Sequence, residues 1–179
     1  MEARRPKGSG SSAMHVTDSY VGDFTTSKGD VLRVSLTEDN SVISQEVREV
    51  IDDIHILGIE LLRIEGTCTI GLDVFRGIES FISEVFQGKE NAVILYYCDF
   101  LNPIPKTSKN SLPCQEYRSR LFENMFKRFT QQRRISNVRL SVITVSGIDE
   151  KYYFHVIYRD VHAKYAAITG SDIKEGLGK

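Results

Sequence analysis

The sequence of 179 residues has no tryptophan, only three cysteines and no long apolar run. The cysteines, Cys68, Cys98 and Cys114, form no C-x-x-C pair, so they predict neither a zinc site nor a disulfide framework. A membrane-spanning helix needs about 18 consecutive apolar residues, and none is expected here. No apolar segment follows the basic N-terminus, which argues against a signal peptide. These absences predict a protein of the reducing cytoplasm.

The motifs of common catalytic and metal sites are absent as well. The sequence contains no HExxH, GxSxG or EF-hand pattern. Residues 66–71 have the glycine spacing of a phosphate-binding loop, but Leu72 and Asp73 stand where lysine and serine or threonine are required. The sequence therefore predicts no metal ion and no cofactor. It leaves open whether the protein is an enzyme, with a non-catalytic role favoured.

The composition, 41% hydrophobic and 26% charged, is typical of a globular protein. A chain of this length suits one domain. We expect residues 1–13, rich in glycine, serine and basic residues, to be a flexible lead or an expression remnant. The folded domain is predicted over residues 14–170, followed by a flexible tail over residues 171–179.

Hydrophobic periodicity predicts the element order β-β-(α)-β-α-β-α-β-β-α. Hairpins are indicated around Gly29 and around Gly147, where runs of β-branched and aromatic residues flank a turn. Apolar residues at helical spacing predict one helix after Gly66 and another at about 114–131. Residues 92–98 are almost wholly apolar, which is typical of a central strand buried on both faces.

Two weaker segments complete this prediction. Residues 41–54 favour a short amphipathic helix, with an irregular acidic strand as the alternative, and residues 165–168 favour a short last helix. Hairpins at both ends indicate a mainly antiparallel sheet. We therefore predict an α+β fold: a two-layer sandwich of about five to six strands, with two main amphipathic helices on one face.

Charge is distributed unevenly along the chain although the net charge is only −1. Residues 38–60 contain seven acidic side chains and one arginine, whereas residues 115–139 contain seven basic and two acidic side chains. Such asymmetry marks either a partner surface or two solvated faces that could lie opposite each other. Helical spacing places Arg120, Lys127 and Arg134 on one side of the basic helix, where they form a candidate binding stripe for nucleic acid or an acidic protein. The phenylalanines of this helix are expected in the core rather than on the surface, where they would stack on bases.

A second group of candidates follows the central strand. Asp99 ends that strand, and Asn102 lies in the polar, proline-containing loop after it. Asp99 is either a catalytic carboxylate or, more simply, an acceptor for backbone N–H groups of the loop. Cys98 with His155 as its base could form a nucleophilic pair, although a buried thiol is the simpler interpretation. Asp99, His155 and Arg159 together would suit a hydrolase-like centre.

Four segments resemble a small bacterial family known only as a domain of unknown function. The segment FTTSKGDVLRV from Phe24 is similar to its opening FTTxGxxYxV pattern, and LYYCD from Leu95 to its LLYICD strand end. The Rx2LFx3F pattern from Arg118 and the segment YYFHVIYRD from Tyr152 resemble its central helix and closing strand. The likeness spans about residues 20–160, departs in 38–70, and has Val161-His162 in place of Asn-Pro. It implies the extent of the domain and a bacterial cytoplasmic setting, but no chemistry.

Three functions follow as hypotheses from the sequence. The first is a non-catalytic binding or regulatory module that acts through protein–protein contacts, including self-association at exposed sheet edges. The second is a nucleic-acid-binding protein that uses the basic helix. The third is a hydrolase-like enzyme centred on Asp99 and His155.

Overall fold

The computed structural model describes residues 19–38, 42–51, 53–66, 72–98, 111–147 and 150–177. The strands are β1 (Ser19–Thr25), β2 (Val31–Glu38), β3 (His55–Glu65), β4 (Ala92–Cys98), β5 (Val138–Ser146) and β6 (Lys151–Arg159). The helices are α1 (Gln45–Val50), α2 (Leu72–Gly88), α3 (Cys114–Arg133) and α4 (Ala163–Leu177), and a 3₁₀ turn, Asp160–His162, precedes α4. These six strands form one sheet in the order β1-β2-β3-β4-β6-β5.

The sheet is antiparallel except at its centre. The hairpins β1–β2 and β5–β6 are antiparallel, as the sequence predicts. Strands β3 and β4 are parallel over residues 55–58 and 92–95, because α2 crosses over the sheet between them. Strand β4 lies in the middle of the sheet, and its residues 92–95 are all buried, which confirms a central strand covered on both faces.

Helices α2 and α3 both lie on one face of the sheet. The apolar cluster on this face includes Leu32 and Val34 of β2, Ile78 of α2 and Ile94 of β4, and side chains of α3 pack against it. Their amphipathic patterns place these helices here, because the apolar stripe of each needs a single apolar surface. The α+β class, the mainly antiparallel six-stranded sheet and the two main helices on one face are therefore confirmed.

The second face of the sheet is covered over part of its width. Ile43 and Ile51, which flank α1, form a separate apolar cluster with Ile173 of α4 and with Phe154 and Val156 of β6. The cluster is joined by polar contacts, since the Ser44 N–H donates to Asp172 Oδ2 at 2.6 Å. The molecule thus has three layers in this region.

The two-layer description applies at the β1–β2 end of the sheet. There Val21 is 55% exposed on the face away from α2, and an ion pair joins the exposed side chains of Asp23 and Arg33. The two-layer description is therefore correct for one part of the sheet and incomplete for the other.

Helix α4 is longer than the sequence predicts. The expected short helix over 165–168 extends over Ala163–Leu177, so most of the predicted flexible tail belongs to a helix. Glycine and threonine weaken the intrinsic helical signal of this segment. Packing compensates, because Ile173 is fully buried and Gly170 lets the helix approach Ile143, whose Cδ1 lies 3.2 Å from the position of an added Cβ.

The helix of the acidic region and the basic helix lie on opposite faces of the sheet. Helix α1 packs with α4 on one face, whereas α3 packs on the other face. The charged side chains of α1 and α3 are therefore separated by the sheet.

Candidate binding site

A groove of about 460 Å³ lies between α2 and α3, above the sheet. Ile94 of β4 and Ile157 of β6 contribute to its floor, and both are buried. Its remaining lining comes from the second half of α2, from α3, from residues 134–138 and from Arg159. Concave apolar sites of a few hundred Å³ are typical of binding sites in proteins. We call this feature the α2–α3 groove.

Half-buried apolar side chains form the walls of the α2–α3 groove. The α3 wall carries Phe122, Met125, Phe126 and Phe129, whereas Ile82 lies on the α2 wall. None of these five side chains is fully buried. The sequence prediction that the phenylalanines of α3 are core residues is thus only partly correct. Phe122 and Phe126 contact the core and also border the groove, and Phe129 borders the groove.

Arg134 lies at the end of α3, where it lines the groove. It has a left-handed backbone with φ of 53°, and within the described residues it is the single non-glycine residue with positive φ. Its N–H donates to the Gln131 carbonyl, and the Ile135 N–H donates to the Thr130 carbonyl, so the pair closes the helix. Glycine is the usual residue at such a helix end. An arginine here carries a backbone cost and places an exposed cation at the rim of the groove.

Further arginines surround Glu79 on the groove wall. Burial raises the pKa of the Glu79 carboxyl above its ordinary value. The guanidinium groups of Arg128, Arg76 and Arg133 act in the opposite direction and lower this pKa. Arg133 also stacks on Phe129, with its guanidinium carbon 4.9 Å from the ring centroid. These three arginines do not line the groove, but they place positive charge close to Glu79 on its wall.

Arg159, a candidate from the sequence, binds the end of α2. Its Nη1 donates to the Lys89 and Glu90 carbonyls at 3.0 and 2.8 Å, and its Nη2 donates to the Phe86 carbonyl. The guanidinium lies 4.1 Å from the centroid of the Phe86 ring. Burial lowers the pKa of Arg159, with the Glu90 carboxylate acting against this effect. The geometry gives Arg159 a structural role, since these carbonyls occupy its fork of donors.

Two members of the predicted basic stripe have acidic partners on their own helix. Arg120 Nη2 lies 2.7 Å from Glu116 Oε1, and Lys127 Nζ lies 3.9 Å from Glu123 Oε2. Arg120 and Lys127 do not line the α2–α3 groove, whereas Arg134 does. The structure therefore separates Arg134 from the other two members of the stripe.

His155 is fully buried on β6. Its Nε2 lies 3.0 Å from Ser119 Oγ, and the rings of Phe122 and Tyr96 lie 5.0 and 6.2 Å away. Its Nδ1 is buried without a hydrogen-bond partner among the described residues. Burial lowers the pKa of His155 to about 4. A neutral imidazole shielded from solvent is a core residue rather than an accessible base.

The other candidates of the hydrolase hypothesis do not assemble with His155 in the described part of the chain. Asp99 and Asn102 lie outside the described residues. Cys98 is fully buried, and its backbone pairs with Tyr153. His155 and Arg159 share one face of β6, with the buried Ile157 between them. Among the described residues no group of three or more His, Cys, Asp or Glu side chains is placed to hold a metal ion.

Sequence reasoning did not identify the α2–α3 groove. Its recognisable signal was the high aromatic content of α3 next to its arginines, but periodicity cannot distinguish a buried stripe from a stripe that borders a groove. The contribution of α2, including Ile82 and Ser83, depends on the spacing of the two helices across the sheet. The distance between the two helices is set by the tertiary structure and is not encoded in the periodicity of either helix.

Comparisons with known proteins leave the groove without a precedent. No family model, no curated protein and no solved structure gives a significant match to the chain. In the described residues, no helix combines the length and the apolar character needed to cross a bilayer. The groove itself is therefore the basis for the proposed function.

Proposed function

We propose that this protein is a non-catalytic binding module of the bacterial cytoplasm, and that its α2–α3 groove holds an acidic amphipathic helix of a partner protein. The observation that carries this proposal is the left-handed Arg134 at the rim of an apolar groove. A costly backbone conformation that places a cation beside a concave apolar surface suggests a functional demand on that cation. The low number of cysteines and the absence of a C-x-x-C pair in the sequence support a reducing compartment.

The apolar walls favour an occupant that inserts several hydrophobic side chains. The partly exposed Phe122, Phe126 and Phe129 recur at intervals of three and four residues, so they line one side of α3. An amphipathic helix that lies between two helices presents apolar residues at the same spacing. Aromatic and methionine side chains are the types most enriched at such interfaces.

The charges on the rim favour an acidic occupant. Arg134 lines the groove, and Arg76, Arg128 and Arg133 are all exposed and act on Glu79. Together these four exposed arginines favour a positive potential on the side of the groove near Glu79 and Arg134. Such a potential attracts carboxylates and repels a basic partner.

The same observations weigh against the two alternative functions. Nucleic-acid binding by the basic stripe is weakened because Arg120 and Lys127 are already paired with Glu116 and Glu123. To contact the phosphate groups of a nucleic acid, Arg120 and Lys127 would first have to leave these ion pairs. A hydrolase-like centre is weakened because His155 is buried and hydrogen-bonded to Ser119.

The test is a binding titration with a designed peptide. The probe is a fluorescein-labelled peptide of about 18 residues, with leucines on one helical face and glutamates on the other. Fluorescence anisotropy is measured with the wild-type chain at about 50 mM and about 300 mM salt. We expect saturable binding that weakens at the higher salt concentration. A scrambled peptide of the same composition should bind much more weakly.

Two substitutions on α3 show whether the peptide occupies the groove. Met125→Glu places a carboxylate inside the groove, and we expect it to weaken binding at least about tenfold. The neighbouring Asn124 is exposed and does not line the groove, so Asn124→Glu is the matched control and should bind as the wild type does. Equal losses in both variants would contradict a groove site.

Three other probes distinguish the competing occupants in the same assay. These are dodecanoate, a labelled single-stranded oligonucleotide and a labelled duplex. Binding of dodecanoate without binding of the peptide would show a small-molecule site and overturn the proposal. Salt-dependent binding of either nucleic acid, lost in an Arg120→Ala/Lys127→Ala variant, would favour the nucleic-acid alternative instead.

A further inference from the structure

The outer edge of β5 is a second feature that the groove does not explain. Strand β5, Val138–Ser146, is the last strand of the sheet and pairs with β6 on one side. No strand in the described part of the chain pairs with its other side. The Val138 carbonyl accepts from Arg139 Nη1 at 3.4 Å, and the remaining backbone N–H and C=O groups that point outward along this edge are suited to pairing with another strand.

Strand β5 lacks the features by which proteins protect a sheet edge. Its sequence, VRLSVITVS, contains no proline and no glycine, and Arg139 is its single charged residue. That charge is held by Asp160, at 3.0 Å from Arg139 Nε, and by the Ser136 carbonyl, at 2.7 Å from Arg139 Nη1. The opposite edge strand, β1, contains Gly22 and Asp23, whose carboxylate is likewise paired, with Arg33 at 2.8 Å. Glycine disfavours strand pairing and β5 contains none, so β5 is the less protected edge.

We propose that two copies of this chain associate through β5, antiparallel, into one continuous twelve-stranded sheet. Antiparallel pairing of two identical strands within a sheet generates a two-fold axis perpendicular to the sheet. The axis must pass through a residue position, because opposite side chains have to lie on the same face. All nine residues are paired only when Val142 is at the axis. Val142 then faces Val142 of the second copy, and Leu140 faces Thr144.

The exposure of Val142 supports this register. Val142 is 38% exposed on one face of β5, whereas Ile143 and Val145 are buried on the other face. Pairing about the axis would cover Val142 with its own copy. Two apolar β-branched side chains directly opposite each other are a favourable cross-strand pair.

The proposed dimer places both α2–α3 grooves on the same side of the extended sheet. A two-fold axis perpendicular to a sheet leaves each face on its own side. A partner with two acidic helices could then bind both grooves with increased avidity. The dimer does not depend on what the groove binds, and it would remain if the proposed function were wrong.

Analytical ultracentrifugation of the full chain tests the dimer. We expect a species of twice the 20.3 kDa chain mass at about 100 μM, dissociating on dilution. Val142→Lys places two ammonium groups together at the axis and should raise the dissociation constant at least about tenfold. Val21→Lys is the matched control, because Val21 is an exposed valine on the other edge strand, and it should remain dimeric. A monomeric wild type, or equal effects of the two substitutions, would overturn the proposal.

Disulfide cross-linking tests the register independently of Val142→Lys. Val142→Cys, in a Cys68→Ser/Cys114→Ser background, should form a covalent dimer under mild oxidation, since residues opposite each other across a strand pair are within disulfide reach. Thr144→Cys in the same background should not, because two Thr144 positions are separated by four residues along the paired strands. Circular dichroism confirms that each variant is folded. Cross-linking through Thr144→Cys, or through neither cysteine, would overturn the proposed pairing.

Discussion

His155 and Ser119 form a buried polar pair that joins β6 to α3, with Nε2 of the histidine 3.0 Å from Oγ of the serine. A serine next to a histidine is also the start of a nucleophilic site. Here both side chains are buried beneath α3, and His155 is fully so. Their contribution is therefore to the position of α3 on the sheet, and α3 is one wall of the α2–α3 groove.

The free energy of unfolding should depend on pH through His155. Its pKa is about 4 in the folded chain and about 6.5 when unfolded, so the unfolded chain binds more protons between these values. The neutral His155 makes its full contribution to the free energy of unfolding above pH 6.5. This contribution is lost as the pH falls toward 4, and the total loss is about 3 kcal/mol. Urea denaturation at several pH values measures it.

Removal of the imidazole isolates this effect. His155→Phe should reduce the loss of stability in acid, because phenylalanine has no site that takes up a proton. Burial and the charge of Arg159 also lower the pKa of His162, so a smaller acid dependence of the same sign should remain. An unaltered pH dependence in His155→Phe would show that His155 is not the group responsible.

Arg159 should be much more important for stability than Arg139. Arg159 donates to carbonyls at the end of α2 and stacks on Phe86, whereas Arg139 forms an exposed ion pair with Asp160. Arg159→Ala should lower the free energy of unfolding by about 2–3 kcal/mol, and Arg139→Ala by less than about 1 kcal/mol. Chemical denaturation measures both changes, and similar losses would contradict the role of Arg159 in fixing α2.

Gly29, in the turn that joins β1 and β2, and Gly66, directly after β3, provide a matched test of the contact at Asp30. Both have positive φ, of 86° and 87°, so alanine is strained at either position. A Cβ at Gly66 would also lie 1.8 Å from Asp30 Oδ1, whereas at Gly29 it would meet no atom within 4 Å. Asp30 accepts a hydrogen bond from the Thr26 hydroxyl and cannot move freely. Gly29→Ala should cost about 1 kcal/mol, and Gly66→Ala clearly more. Equal costs would show that the Asp30 contact is unimportant.

The fold was largely predictable because its strongest elements carry local signals. Strand β4 has the predicted bounds, and α3 is two residues longer than expected. The length of α4 was not predictable, because its glycines give a weak helical pattern. The approach of Gly170 to Ile143 of β5 and the burial of Ile173 in the apolar cluster stabilise it. Local propensity is a weak guide where packing decides the outcome.

The candidate site was predictable at two of its residues, Arg134 and Arg159, both of which line the groove. Arg134 was identified by its charge, but its left-handed backbone and its place beside Ile82 depend on the end of α3 and on the distance between two helices. The sequence also placed Arg134 in one group with Arg120 and Lys127, because all three follow helical spacing. Helical spacing does not show that Arg120 and Lys127 form ion pairs with acidic side chains. Asp99 and Asn102 remain predictions from the sequence.

Arg134→Gly should weaken binding of the acidic peptide without lowering stability. Glycine adopts the left-handed backbone without strain, so we expect the free energy of unfolding to be unchanged or to rise by up to about 1 kcal/mol. Binding of the acidic peptide should weaken at the same time, because the cation at the groove rim is lost. Arg133→Gly lies within the last turn of α3 and should instead lower stability by about 1 kcal/mol. A destabilised Arg134→Gly variant that binds normally would contradict this assignment.

A charge-exchange experiment tests the proposed groove interaction most directly. Each glutamate of the acidic peptide is replaced in turn by lysine, and every peptide is titrated against the wild type, Arg134→Glu and Lys174→Glu. Lys174 is exposed on α4, on the opposite face of the sheet, and serves as the control for net charge. We predict that Arg134→Glu weakens the original peptide and restores affinity for one lysine peptide, whose new cation meets the new carboxylate. Equal behaviour of Arg134→Glu and Lys174→Glu, with no restoration by any peptide, would contradict an acidic helix bound at Arg134.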